Sequence, residues 1–426
     1  MEGVGIMIRQ WKKAWASPGR DALIFLKWLA IAALLGLVIG AVGSAFSLLL
    51  GWVTEFRMAH PWLLWLLPLG GLLIVFLYRA SGVEKSQGTN LVLLAVRTEE
   101  NVPLRMAPLI FISTAITHLL GGSAGREGAA LQLGGSLAQQ LGRWLHLDQK
   151  DMHVITLCGM SACFSAVFGT PVAAAIFPLE VVSVGVMYYA ALVPCATASL
   201  IAILVSRLFS VSAASLAIQE IPVLQPLPLL QTLLLGILCA GVSFLFCKAL
   251  GLSGQLAARH VPNPYLRIAI GGALVIVLTL LCGTQDYLGA GMPTIQAAMQ
   301  GQARPEAFLL KIIFTAITLA AAYKGGEIVP AFFIGATFGA AFAPFLGLDA
   351  SFGAGLSMVA VFCGVTNCPI SSLLIGCELF GMQAAPYLLI VCAASYMLSG
   401  YTGLYSQQKI LYSKFRPEFI NERTKH

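Results

Sequence analysis

Charge is what this 426-residue chain lacks. Asp, Glu, Lys and Arg together make up only 10% of it, while 58% is hydrophobic and the mean hydropathy is +0.86. That balance excludes an ordinary soluble domain. Histidine is also sparse, at six scattered residues, and there is no His-Glu-x-x-His pattern or Gly-x-Ser-x-Gly elbow, so the residues give no support for a membrane-embedded enzyme. The ten cysteines show no ligand spacing. Cys363 and Cys368 are separated by four intervening residues without a His partner, and most of the others sit in apolar runs as small hydrophobes, so neither a metal nor any other cofactor is expected. Nor does the net charge of +7 point to nucleic acid, because it gathers at the two ends and not on a foldable soluble domain.

Apolar stretches dominate instead, from about residue 22 to residue 403. At roughly 20 apolar residues per span, the chain can cross a bilayer about ten times or more. Residues 1–21 carry Arg9, Lys12, Lys13 and Arg20 and run into hydrophobic sequence without a cleavage-like site, which reads as an amphipathic start and not a signal peptide. Residues 406–426 are basic as well. The positive-inside tendency therefore places both termini in the cytoplasm.

Much of the sequence is written twice. Thr114-Ala115-Ile116-Thr117 returns as Thr315-Ala316-Ile317-Thr318, Gly70-Gly71 as Gly271-Gly272, and Phe164 through Pro171 to Glu180 as Phe362 through Pro369 to Glu378. Offsets of 198 to 201 throughout argue for duplication. The halves are read as 22–208 and 225–405, joined by 209–224 and followed by the tail 406–426. Pro171, Pro330 and Pro369 interrupt apolar runs, and broken helices survive at membrane depth only around a protein-lined cavity.

Each half holds a Gly-rich turn around a carboxylate, Gly125-Arg126-Glu127-Gly128 and Gly325-Gly326-Glu327-Ile328. A carboxylate in apolar surroundings is costly and marks ion or proton pathways. The N–H groups of a helix starting at such a turn attract an anion, so Glu127 can occupy that anion site itself. Capping of the new helix, or pairing with Arg126, explains it equally well on sequence alone. Two broken half-copies, each with a Glu, point to a transporter whose site lies between repeats.

Gly-Arg-Glu-Gly followed by Ala-Ala-Leu-Gln-Leu-Gly-Gly (residues 125–135) resembles the signature of the CLC family of anion channels and anion/proton antiporters. Gly325 to Pro330, Gly403-Leu404-Tyr405-Ser406 and Gly88-Thr89-Asn90-Leu91 extend the likeness in order along the membrane region. The resemblance implies an all-α membrane protein: an inverted-repeat bundle of many tilted and broken helices, forming a homodimer in the bacterial inner membrane with one pore per subunit. It assigns Glu127 as gate and proton shuttle and Glu327 as inner proton acceptor. Gly88, Thr89, Asn90, Arg126, Gly128, Ile328, Val329 and Tyr405 become the anion-binding set.

The family's chloride exchangers carry a second proton-carrying glutamate that falls here on Val181. The fluoride-exporting branch lacks it and has a Glu in its Gly-Gly-Glu motif, as at Glu327. The chain departs from that branch at Thr89, where the branch carries Met or Asn, and at Val329, where it carries Thr. The resemblance therefore implies proton-coupled fluoride export, with chloride/proton exchange or a passive chloride channel as alternatives. Glu180 and Glu378 are expected to be structural, His118 a packing residue, and Lys324 either a modulator of the anion path or a snorkelling side chain.

Overall fold

The computed structural model describes residues 2–83, 88–98, 100–211 and 216–425, with side chains from residue 20 onward. The side chains of Arg9, Lys12 and Lys13, part of the 209–224 connection and the terminal His426 fall outside the described residues.

Eight α-helices are followed by eight more in matching order. The first set is α1 (Glu2–Ala59), α2 (Leu67–Ala80), α3 (Thr89–Ala95), α4 (Met106–Leu119), α5 (Glu127–Trp144), α6 (Gln149–Phe168), α7 (Pro171–Val181) and α8 (Leu192–Leu208). The second is α9 (Pro226–His260), α10 (Pro264–Cys282), α11 (Met292–Met299), α12 (Ala307–Ala320), α13 (Ile328–Phe342), α14 (Ala350–Thr366), α15 (Pro369–Phe380) and α16 (Ala385–Leu398). Seven helical stretches among the described residues are long and apolar enough to cross a bilayer, and six apolar ones have only 10–17 residues. The expected crossings are thus built partly from helices too short to span alone. Pro171 and Pro369 open α7 and α15 at a position where the missing N–H costs nothing.

Contacts between these two helices show how the halves are related. The Glu180 carboxylate, near the C-terminal end of α7, accepts from Ile370 N (2.9 Å), Ser371 N (2.8 Å) and Ser371 Oγ (2.5 Å) at the start of α15. Glu378, near the end of α15, accepts from Val172 N (2.9 Å) and Ala173 N (2.8 Å) at the start of α7. Each carboxylate caps the other half's helix, which requires α7 and α15 to lie antiparallel. The second half therefore repeats the first upside down, and the structural role expected of both residues is a mutual cap.

Rings from both halves form the core beside this contact. Phe164, Phe168, Phe332, Phe362 and Phe177 make a closed circuit of neighbours with centroids 5.0 to 5.8 Å apart. Elsewhere glycines let helix backbones touch. A Cβ on Gly339 would lie 2.1 Å from Gly353 O, which fixes the close crossing of α13 and α14.

The membrane part is helical throughout, but the tail folds as strands. Chain segments β1 (Ser183–Val184), β2 (Lys409–Tyr412) and β3 (Phe419–Arg423) form a small sheet in that order, β1–β2 parallel and β2–β3 antiparallel. Asn367, the C-cap of α14 with φ +58°, donates to Thr402 O and Gln408 Oε1 (both 3.0 Å) and accepts from Lys414 Nζ (2.5 Å). Its equivalent in the first half is Gly169, at φ +85°. An Asn tolerates this left-handed cap and adds a side chain that holds the tail.

Candidate functional site at the meeting of the two halves

The duplicated turns meet each other directly. Gly125 N donates to Gly326 O (2.6 Å) and Gly326 N to Gly125 O (2.7 Å), an antiparallel bridge between the two breaks. Only glycine fits here: a Cβ on Gly326 would stand 2.6 Å from Gly128 N. The repeated threonines brace the same region, since Thr318 Oγ1 accepts from Ser123 N (3.1 Å) and Thr315 Oγ1 lies 3.0 Å from Ser123 Oγ. Helices α5 and α13 both begin at this junction with their first N–H groups free of intrahelical partners.

Glu127, the first residue of α5, is 1% exposed. Its carboxylate folds back over the start of its own helix and accepts from Arg126 N (3.1 Å) and from Arg126 Nε (3.4 Å). Arg126 also donates to Ser47 Oγ on α1 (3.1 Å). Both sequence readings of Glu127, anion mimic at a helix start and partner of Arg126, therefore describe the same conformation.

In the other half Glu327 is the N-cap residue of α13, but its side chain makes no capping bond, and its Oε2 has no hydrogen-bond partner. A Cβ on Gly128 would be 3.3 Å from that oxygen and 3.2 Å from Thr89 Oγ1, so Glu327, Gly128 and Thr89 converge. Thr89 is buried at the start of α3 and lies 3.3 Å from Gly128 O. Tyr405 is 1% exposed, with its hydroxyl unpartnered, and it is close enough to Glu327 and Glu127 to feel their charges. Gly88 precedes Thr89 at φ +59°, a turn that glycine adopts without strain. Ile328 and Val329 form the first turn of α13, and a Cβ on Gly125 would lie 3.1 Å from Val329 N.

Most of the expected set is thus brought together, but two members look elsewhere. Asn90 Oδ1 accepts from Gln407 N (3.1 Å), so that side chain ties α3 to the tail. The Arg126 guanidinium is divided: its Nε pairs with Glu127, while its Nη1 turns to Ser47 Oγ beside a neighbouring cavity. One residue was missed. Gln132 Nε2 reaches Gly128 O (3.3 Å) and Thr89 Oγ1 (3.5 Å), and its own Oε1 is buried without a partner. Its spacing four residues after Gly128 puts it on the same helix face, which was the available signal. Lys324 stands 4.6 Å from the Tyr78 ring centre, a cation–π contact at the edge of the second break.

Two openings approach Glu127. A void of about 20 Å³ lies against Glu127, Phe168 and Phe332. A cavity of about 460 Å³ reaches Arg126 and Val329 from one end of α1. The arrangement offers helix-start N–H groups, a hydroxyl-bearing Thr and Tyr, and two carboxylates within one enclosed junction. It suits a small anion exchanging with a carboxylate oxygen.

Comparison with known proteins agrees with this reading of the fold. The voltage gated chloride channel family model matches residues 70–400. The "Chloride/fluoride channel protein" of Pseudomonas syringae pv. tomato is 39% identical over 395 residues, covering 91% of this chain and 87% of that one. The crystal structure of a CLC-type fluoride/proton antiporter superposes with a TM-score of 0.85 at 34% identity, over 88% of this chain and 95% of the other. The H(+)/Cl(-) exchange transporter ClcA of Cronobacter sakazakii is 26% identical over 406 residues, covering 88% of this chain and 87% of that one. An integral membrane protein of inverted repeats that meet at paired glycine turns, this chain belongs to the CLC family of voltage-gated chloride channels and their transporter relatives.

Proposed function

We propose that the protein is a proton-coupled halide antiporter that exports fluoride in preference to chloride. One observation carries the reading: the Glu127 carboxylate occupies the N-terminal end of α5, where a permeating anion would otherwise sit. Glu127 serves as gate and proton shuttle. An arriving anion repels the carboxylate, protonation neutralises it, and the neutral side chain leaves the helix start or donates to the ion. Glu327, with an oxygen free and aimed at Gly128 and Thr89, takes the proton on the inner side.

Fluoride holds its hydration shell strongly, so a selective site must offer several strong donors at once. Thr89 Oγ1, Tyr405 Oη, the N–H groups of Gly128, Ile328 and Val329, the backbone of Gly88 and Asn90, and a protonated carboxylate form that set, with Arg126 as the nearby cation. Glu327 in place of a proton-carrying residue at Val181 supports the fluoride preference, as do the fluoride-linked names of the two relatives at 39% and 34% identity. The word "channel" in the name of the Pseudomonas relative supports a second reading, passive conduction through the same pore.

The protein works as a homodimer in the bacterial plasma membrane with both termini in the cytoplasm and repeats spanning 22–208 and 225–405. Anion efflux from proteoliposomes tests the reading. Fluoride should leave faster than chloride while protons enter in fixed proportion, and Glu127→Gln should stop the proton movement. Chloride efflux exceeding that of fluoride would overturn the preference. Proton flux persisting in fixed ratio in Glu127→Gln would overturn the mechanism.

A further inference from the structure

The 460 Å³ cavity at the C-terminal end of α1 holds a cation that the junction does not use. Arg57, in the last turn of α1, is 5% exposed, lines the cavity, and leaves Nε and Nη1 without a hydrogen-bond partner. It makes no ion pair among the described residues, although Glu55 and Asp286 also line the cavity. His118, at the end of α4, is 2% exposed and lines the same wall; its Nδ1 is engaged with Thr114 O (2.9 Å) and its Nε2 has no partner. Because a carbonyl only accepts, Nδ1 carries the proton, and Nε2 of the neutral ring keeps a lone pair that offers an anion no N–H.

A second cation lies behind the wall. Lys311 on α12 is fully buried, donates to Tyr287 O (3.0 Å) and Gly289 O (2.7 Å), and stands 5.0 Å from the Phe333 ring centre. Those carbonyls belong to the loop beside Arg57, where a Cβ on Gly289 would be 3.5 Å from Arg57 Nη2. Lysine therefore consumes the backbone acceptors that the guanidinium would otherwise use. A helix C-terminus accounts for a cation at residue 57 but satisfies neither orphan N–H. Two buried cations without a carboxylate partner, beside an open volume, need a counter-charge.

We infer that this cavity is a second anion site, in which a halide rests against the Arg57 guanidinium before or after passing Glu127. The inference deepens the transport reading and rests on it for the identity of the anion. The cavity connects the two sites through Arg126, which borders both the cavity and the void at Glu127. A weakly selective guanidinium site at the mouth raises the local anion concentration, and a stricter site behind it performs the selection.

Bromide, located by its anomalous scattering in crystals of the full chain, is the direct probe. A peak against Arg57 that disappears in Arg57→Gln is the expected result. No peak in the cavity, or one that survives Arg57→Gln, overturns the inference. In proteoliposomes, Arg57→Gln should raise the half-saturating fluoride concentration at least fivefold and leave the proton-to-anion ratio unchanged. An unchanged half-saturation would mean an adventitious ion only. Should Arg57→Gln fail to yield folded protein, Arg57→Met, which keeps the length and drops the charge, must remove the peak, and a surviving peak counts against the site. Glu127→Gln separates this from the transport reading. A cavity peak together with persistent proton flux in Glu127→Gln sinks the coupling mechanism alone, and an empty cavity with abolished flux sinks the cavity site alone.

Discussion

Glu127 and Glu327 stand one position out of register in two pseudo-symmetric halves, Glu127 as the first residue of α5 and Glu327 as the N-cap residue of α13, and they are held in opposite ways. Glu127 is satisfied, folded onto Arg126 and the start of its own helix. Glu327 keeps a buried oxygen with no partner. Leaving such an acceptor unmade costs about 1–3 kcal/mol. Each half sets a carboxylate at a helix start; the surroundings satisfy one and leave the other in want of a donor. The neighbours explain the split. Arg126 precedes Glu127, whereas Gly326 precedes Glu327 and must remain glycine for the turns to touch.

That contrast can be broken most severely by removing the charge on one side only. Glu127→Gln should lower proton-coupled fluoride flux by about two orders of magnitude or more, while Glu327→Gln should lower it about tenfold and leave anion movement largely intact. Paired pH and fluoride electrodes on the same vesicles read both. Equal losses in the two variants would erase the proposed division of labour.

Next in size is the contact that keeps the carboxylates together. Gly326→Ala drives a Cβ to 2.6 Å from Gly128 N, a backbone clash that should cost roughly 3 kcal/mol or more and remove most folded protein. Size-exclusion profiles and thermal melting in detergent would show it. A normally folded variant would mean that the two turns are free to separate.

The reciprocal caps sharpen the comparison further. Glu180 is 4% exposed and accepts three hydrogen bonds; Glu378 is half-buried and accepts two. Glu180→Gln should therefore destabilise by about 2 kcal/mol and Glu378→Gln by about 1 kcal/mol, as each loses a charged acceptor at a helix start. The reverse order in melting temperature would show that burial does not set the strength of these caps.

The smallest effect is expected at the ends of α4 and α12. Gly121 adopts φ +91°, and its counterpart Ala322 adopts φ +77° with a side chain that disfavours it. Ala322→Gly should stabilise the protein by about 1 kcal/mol, seen as a rise of a few degrees in melting temperature. A fall would mean that the methyl group packs better than the turn is strained.

Much of this was legible in the sequence because duplication and glycine spacing are local patterns. Thr114–Thr117 and its copy, the paired turns, Glu127, Glu327, Thr89 and Tyr405 all announced the junction before any coordinates. What stayed hidden depends on neighbours far apart in the chain. Glu180 and Glu378 look like run-ending residues until α7 and α15 are placed side by side. Nothing around Asn90 in the sequence shows that its side-chain oxygen will meet Gln407 N from 317 positions away. Arg57 and His118 sit in unremarkable helix ends, and only the fold puts a shared hollow between them. The tail offered no strand signal either, since its short segments take their order from β1 and from the Asn367 anchor.

That anchor has a consequence for biogenesis. Tyr405 contributes to the junction, yet the segment carrying it is pinned by residues beyond it, with Thr424 Oγ1 donating to Tyr405 O and Gln408 Nε2 to Val181 O (3.0 Å) and Thr366 O (2.7 Å). Residues 408–424, made after every helix, thus fasten Tyr405 to α7 and α14, which are made long before. A nascent polypeptide released before residue 408 would carry both carboxylates but leave Tyr405 unfastened, so the junction closes only after this segment is made.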